Sequence, residues 1–194
     1  MKKPSLVVVI VATFALFFAF ACKKNESAGT DTNTTTSVAA SDTSGTTSTA
    51  QMATDDQNFI QKAATGGLAE VSLGQQVSPA AKNPDAKSFA DKMVTDHSKA
   101  NDELKQLASN KGISLPTDTD QEHKDAAQKV MSAKDVDKAY IDEMVKDHDK
   151  DVKEFEDASK SAKDADLKAW IDKTLPVLKE HQKMAHDING KLKM

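Results

Sequence analysis

The chain has 194 residues, a formal charge of −4 and a single cysteine, and all 26 of its Lys/Arg positions are lysine. Without arginine there is no bidentate fork for phosphate or guanine, and with a net acidic charge there is no basic face, so nucleic acid is excluded as a partner. One cysteine excludes an intramolecular disulfide, and the abundance of Ala, Lys, Asp and Glu favours helix over sheet.

Met1 to Ala21 carries two lysines, an apolar run from Leu6 to Phe20 and a small residue before Cys22, the pattern of a cleaved export leader over residues 1–21. Ala21-Cys22 resembles a bacterial lipoprotein signal, which implies lipidation of Cys22. Without Lys2 and Lys3 the remaining charge is −6. Residues 22–54 follow as a tether dominated by Thr, Ser, Ala, Asp and Gly. They hold too little apolar surface to offset the entropy of ordering them. Acyl chains on Cys22 would hold the chain at a membrane. By resemblance to known sorting rules, a Lys at position 23 in place of Asp leans towards the outer membrane of a bacterial envelope.

The folded part is expected over 55–194. A first helix, opened by a capping box at Thr54-Asp55-Asp56-Gln57, runs to about Val77 and places Phe59, Ile60, Ala63, Gly67, Val71, Gly74 and Val77 on one face. Glu70 follows Phe59 by 11 residues (70 − 59), three helical turns, and so points inward. Gly66, Gly67 and Gly74 mark close approach of a neighbouring backbone. Asn83-Pro84 starts a second helix and Lys111-Gly112 stops it, with Phe89, Met93, His97, Ala100, Leu104 and Ala108 inward. A second capping box, Thr119 to Glu122, opens a short helix ending near Met131. A helix from Val136 to about Ser159 turns Tyr140, Met144, His148, Val152 and Phe155 inward. A last one from Asp164 to about Asn189, ending at Gly190, does the same with Trp170, Ile171, Thr174, Leu178, His181 and Ile188. His123 and His186 fall outside these stripes and read as surface residues.

Four amphipathic helices with one long middle connection fit an all-α, ferritin-like up-down four-helix bundle, with a crossover containing the short extra helix. Phe89 to His97 and Tyr140 to His148 are near copies 51 positions apart (148 − 97). Glu70, His97, His148 and His181 fall at one level of the bundle, one inward titratable group per helix.

These residues, with Thr174-Leu175-Pro176 ahead of His181, resemble those of the domain of unknown function 4142 family, bacterial exported proteins. The resemblance covers about Asp55 to Ile188 and implies a ferritin-like fold and an envelope location, with no activity attached. Di-iron bundles of that wider fold carry Glu three residues before the histidine. Val94, Val145 and Leu178 stand there instead, which disfavours di-iron oxidase chemistry. Two readings of the four inward groups remain. Glu70, His97, His148 and His181 can bind a transition metal (Cu, Zn or Fe), with Met93, Met144 and Met184 as further ligands suited to copper; or they form a metal-free hydrogen-bond network in a structural or interaction module. Asp96, Asp147 and Glu180 each precede a histidine and are candidates for orienting it. The sequence has no catalytic Ser/His/Asp pattern, no Gly-rich phosphate loop and no second cysteine, so no enzymatic reaction is expected.

Overall fold

The structure is a computed structural model that describes residues 52–193; the leader, Cys22 and the tether up to residue 51 lie outside that range. It is all-α among the described residues: α1 (Thr54–Val77), α2 (Pro84–Asn110), α3 (Gln121–Met131), α4 (Val136–Ser161) and α5 (Ala165–Leu192). α1 packs on α2 and α4 on α5 as two hairpins, α2 packs on α5 between them, and the short α3 lies against α1 and α4. The expected bundle with a helix inside its crossover is therefore present.

The helix ends follow the expected chemistry in part. Asn83 caps α2 by accepting from the amides of Asp85 and Ala86, with Pro84 at the first position. Gly112 stops the chain with φ 67 while the Ile113 amide reaches back 2.8 Å to the Ala108 carbonyl. The box at Thr54 does not form: the residue before α1 is Ala53, with no side-chain cap. Asp56 is instead turned to the α4/α5 turn, where it accepts from the amides of Lys163 and Asp164 at 2.9 and 2.8 Å. For α3 the cap is Asp120, not Thr119, because its carboxylate takes both the His123 amide and the His123 ring. α4 and α5 run past their expected ends at Ser159 and Asn189, to Ser161 and Leu192. Gly190 ends nothing, since it has helical neighbours on both sides and no need for a left-handed turn.

The two hairpins repeat each other at an offset of 81 residues. Asp56 and Asp137 (137 − 56) each cap the turn of the opposite hairpin, Asp137 accepting from Lys82 and Asn83 at 3.1 and 2.8 Å. Ser78, Lys87 and Asp91 form a hydrogen-bonded trio across the first turn, and Ser159, Lys168 and Asp172, each 81 positions later, form the same trio across the second. The reciprocal caps put the α1/α2 turn beside the start of α4, and the α4/α5 turn beside the start of α1. α1 and α4 are thereby antiparallel.

The core is split in two. One cluster gathers Leu73, Val77, Phe89, Met93, Tyr140, Met144 and Ile188 near the α1/α2 turn. The other gathers Ile60, Leu104, Val152, Phe155, Trp170, Ile171 and Leu178 near the α4/α5 turn. Between them, in chain order on every long helix, lie Glu70, His97, His148 and His181, all buried.

Candidate metal centre

Each of the four groups arrives on a different helix. His97 Nδ1 is 2.8 Å from Glu70 Oε2, and His148 Nε2 is 3.6 Å from Glu70 Oε1. The rings of the three histidines are packed together, with centroids 5.2–5.8 Å apart. Phe89 presents an edge-to-face contact to both His148 and His181, so the cluster rests on an apolar floor. One ring nitrogen from each histidine lies within 4.8 Å of those of the other two.

The outer nitrogens fix the tautomers. His148 Nδ1 lies 3.0 Å from the Met144 carbonyl, which can only accept, so that nitrogen is the donor. His181 Nε2 donates to Asp96 Oδ2 at 2.9 Å, and Asp96 is itself held by Lys92 at 3.0 Å. His97 Nδ1 donates to Glu70. A neutral imidazole with one nitrogen donating has a lone pair on the other. The remaining nitrogens, His97 Nε2, His148 Nε2 and His181 Nδ1, are buried with no hydrogen-bond partner, and so is Glu70 Oε1. With all three rings neutral, three lone pairs and a carboxylate oxygen lie in one layer without a donor to share. A divalent transition metal satisfies such a set, and outer partners of this kind are those that orient imidazoles on metals.

The electrostatics of the layer are strongly interacting. Burial raises the Glu70 carboxyl, but His97, His148 and His181 outweigh it and bring the pKa down to about 2. Burial disfavours the charge on His97, and Glu70 more than restores it, leaving His97 above its ordinary value. His148 is lowered by burial, against the pull of Glu70. Burial and the neighbouring His97 take His181 down to about 4, with Asp96 opposing. His148 and His181 are therefore neutral at pH 7 and available as ligands.

All four inward residues expected from the sequence meet here, although Glu70 spends one oxygen on orienting His97. Met93 and Met144 are buried in the apolar cluster on the Phe89 side, and Met184 packs against it from the rim. Of the acids preceding the histidines, Asp96 orients His181, Glu180 is exposed beside Lys92 at 3.3 Å, and Asp147 is partly buried, which raises its carboxyl to about 6. His123 and His186 are paired with Asp120 and Asp149 at the edge of the fold. The residue that stripe reasoning missed is Asp151. It lines the same two cavities as Glu70, and burial together with the Glu70 charge pushes its carboxyl up to about 8. Asp151 follows Glu70 by the hairpin offset of 81 (151 − 70), a signal that was available in the sequence.

Among the described residues no helix is long and apolar enough to cross a membrane. A family model described as "Domain of unknown function (DUF4142)" matches residues 41–188. No curated protein and no solved structure matches the chain.

Proposed function

We propose a role for this chain, which belongs to the DUF4142 family of domains of unknown function: a lipid-anchored envelope protein that binds one transition-metal ion in its bundle core, for storage, buffering or protection against metal stress. The observation that carries the metal reading is the set of three buried, unpartnered ring nitrogens whose other nitrogens are all held by acceptors. His97, His148 and His181 are the proposed ligands, with Glu70 orienting His97 and its Oε1 3.6 Å from His148 Nε2. An all-imidazole set suits Zn(II), Cu(II) and Fe. Anchoring at Cys22, with the tether spacing the bundle from a bilayer, is supported by the leader sequence and by the unique cysteine beside it.

The competing reading is a metal-free layer in a structural or interaction module. It draws support from the raised basicity of His97, since a protonated His97 could donate Nε2–H to a neighbouring ring. Elemental mass spectrometry on the chain purified without chelator and without an affinity tag, then loaded with Zn(II) or Cu(II), separates the two. One equivalent of metal, lost in a His97→Gln/His148→Gln/His181→Gln variant that keeps its helical content, is expected. A chain without metal before and after loading would establish the network.

A further inference from the structure

The two long faces of the bundle that flank the histidines differ. On the α2/α5 side the helices pack against each other, and Lys92 bridges Asp96 and Glu180 across them. On the α1/α4 side the helices touch along only a short stretch. Two cavities of about 50 and 60 Å3 lie there and share Lys62, Gly66, Glu70 and Asp151. Each exceeds the roughly 10–15 Å3 that one water requires by this measure. Exposed Lys62, paired with Glu154 at 2.6 Å, lines both, and His123 and Ala126 of α3 line the second. Gly66 leaves the passage open, since a Cβ there would meet nothing within 4 Å.

The acids along this seam are not equally engaged. Glu143 is neutralised by Lys146 at 2.7 Å, and Asp147 lies 4.0 Å from the same amine. Asp151 makes no side-chain hydrogen bond or ion pair among the described residues. Deeper in, Glu70 is only 6 % exposed and its Oε1 has no partner, and 3.6 Å beyond lies His148 Nε2. From surface to centre the seam therefore presents uncommitted oxygen donors and then nitrogen donors.

We propose that the α1/α4 seam is the access route of a divalent cation to the three histidines, with Asp151 taking the hydrated ion and Glu70 Oε1 passing it to His148. This rests on the metal reading above. An ion that still holds water ligands is received best by carboxylate oxygens and exchanges them for imidazole only at the end.

The test is stopped-flow loading of Co(II) into the metal-free full chain, comparing wild type with Asp151→Asn and Gly66→Leu. The first replaces a carboxyl that can give up its proton to a cation with an amide that cannot. The second fills the passage at a site where the added side chain has room and helix propensity improves. Both variants are expected to reach one Co(II) per chain with the wild-type ligand-field spectrum, and to load at least tenfold more slowly. Wild-type loading rates in both would overturn the route while leaving the histidine site intact. Slowing in Asp151→Asn alone would leave the passage beside Gly66 uninvolved and also overturn it. A wild-type chain that takes up no Co(II) would remove both the route and the site.

Discussion

An imidazole on a metal depends on what its second nitrogen touches, and here three different acceptors do that work: a buried carboxylate, a backbone carbonyl and a carboxylate at the rim. Asp96 is the one most easily removed without disturbing the core. Asp96→Ala is expected to weaken metal binding about 10–100-fold, read by competition with a coloured chelator, with the far-ultraviolet spectrum unchanged. Asp151 acts in the opposite sense on stability. Its carboxyl ionises near 3.8 in the unfolded chain and near 8 in the fold, so between those values the folded state holds a proton that the unfolded state has lost. Stability must fall as pH rises through that window. Asp151→Asn is expected to abolish this fall and to be more stable than wild type at pH 8 by about 1–2 kcal/mol after discounting for partial exposure; urea midpoints of the metal-free proteins at pH 5 and pH 8 check it. The inward histidines and Glu70 were legible from helical periodicity alone, because a polar residue on an apolar stripe has one place to go. Asp151 was not, since it sits one turn beyond His148 and beside the stripe. Only the hairpin repeat pairs it with Glu70, and the 51-residue repeat that dominates the sequence hides that longer offset.

At the scale of the helix, boundaries set by backbone-compatible residues were readable and those set by distant partners were not. Asn83-Pro84 and Gly112 act on their own neighbours and behave as expected. Thr54 to Gln57 has the letters of a capping box, but the helix is capped one residue earlier at Ala53 and the Gln57 side chain donates to the Met52 carbonyl at 2.7 Å. Asp137→Ala, which leaves the Lys82 and Asn83 amides without an acceptor, is expected to cost about 1–3 kcal/mol in urea unfolding. The glycines of α1 divide similarly. A methyl at Gly74 would meet the Ala90 carbonyl at 3.1 Å and Val94 at 2.9 Å, so close approach of α2 is the reason for that glycine. At Gly67 the near neighbour is the Asn101 side chain, and at Gly66 there is none. Gly74→Ala is therefore expected to destabilise by about 1–3 kcal/mol, while Gly66→Ala stabilises by up to about 1 kcal/mol, both measured by the same unfolding curves.

For the molecule as a whole, the polar layer interrupts what would otherwise be one continuous apolar core. An ion bound there joins three helices at the point where hydrophobic packing is interrupted. At a free metal concentration about a thousand times its dissociation constant, it should add about 4 kcal/mol to the stability of the folded state. Scanning calorimetry with and without Zn(II) is expected to show a shift on the order of 10 °C, absent from the triple glutamine variant. The reciprocal caps have a separate consequence, visible on the timescale of hydrogen exchange. Turn amides in a helical hairpin ordinarily trade their protons for deuterons early, through local fraying. Those of Lys82, Asn83, Lys163 and Asp164 are held by carboxylates belonging to the opposite hairpin, so they become free only when the hairpins part. Their deuteration clock should run with the separation of the two halves, slower than the surface amides on either side of them.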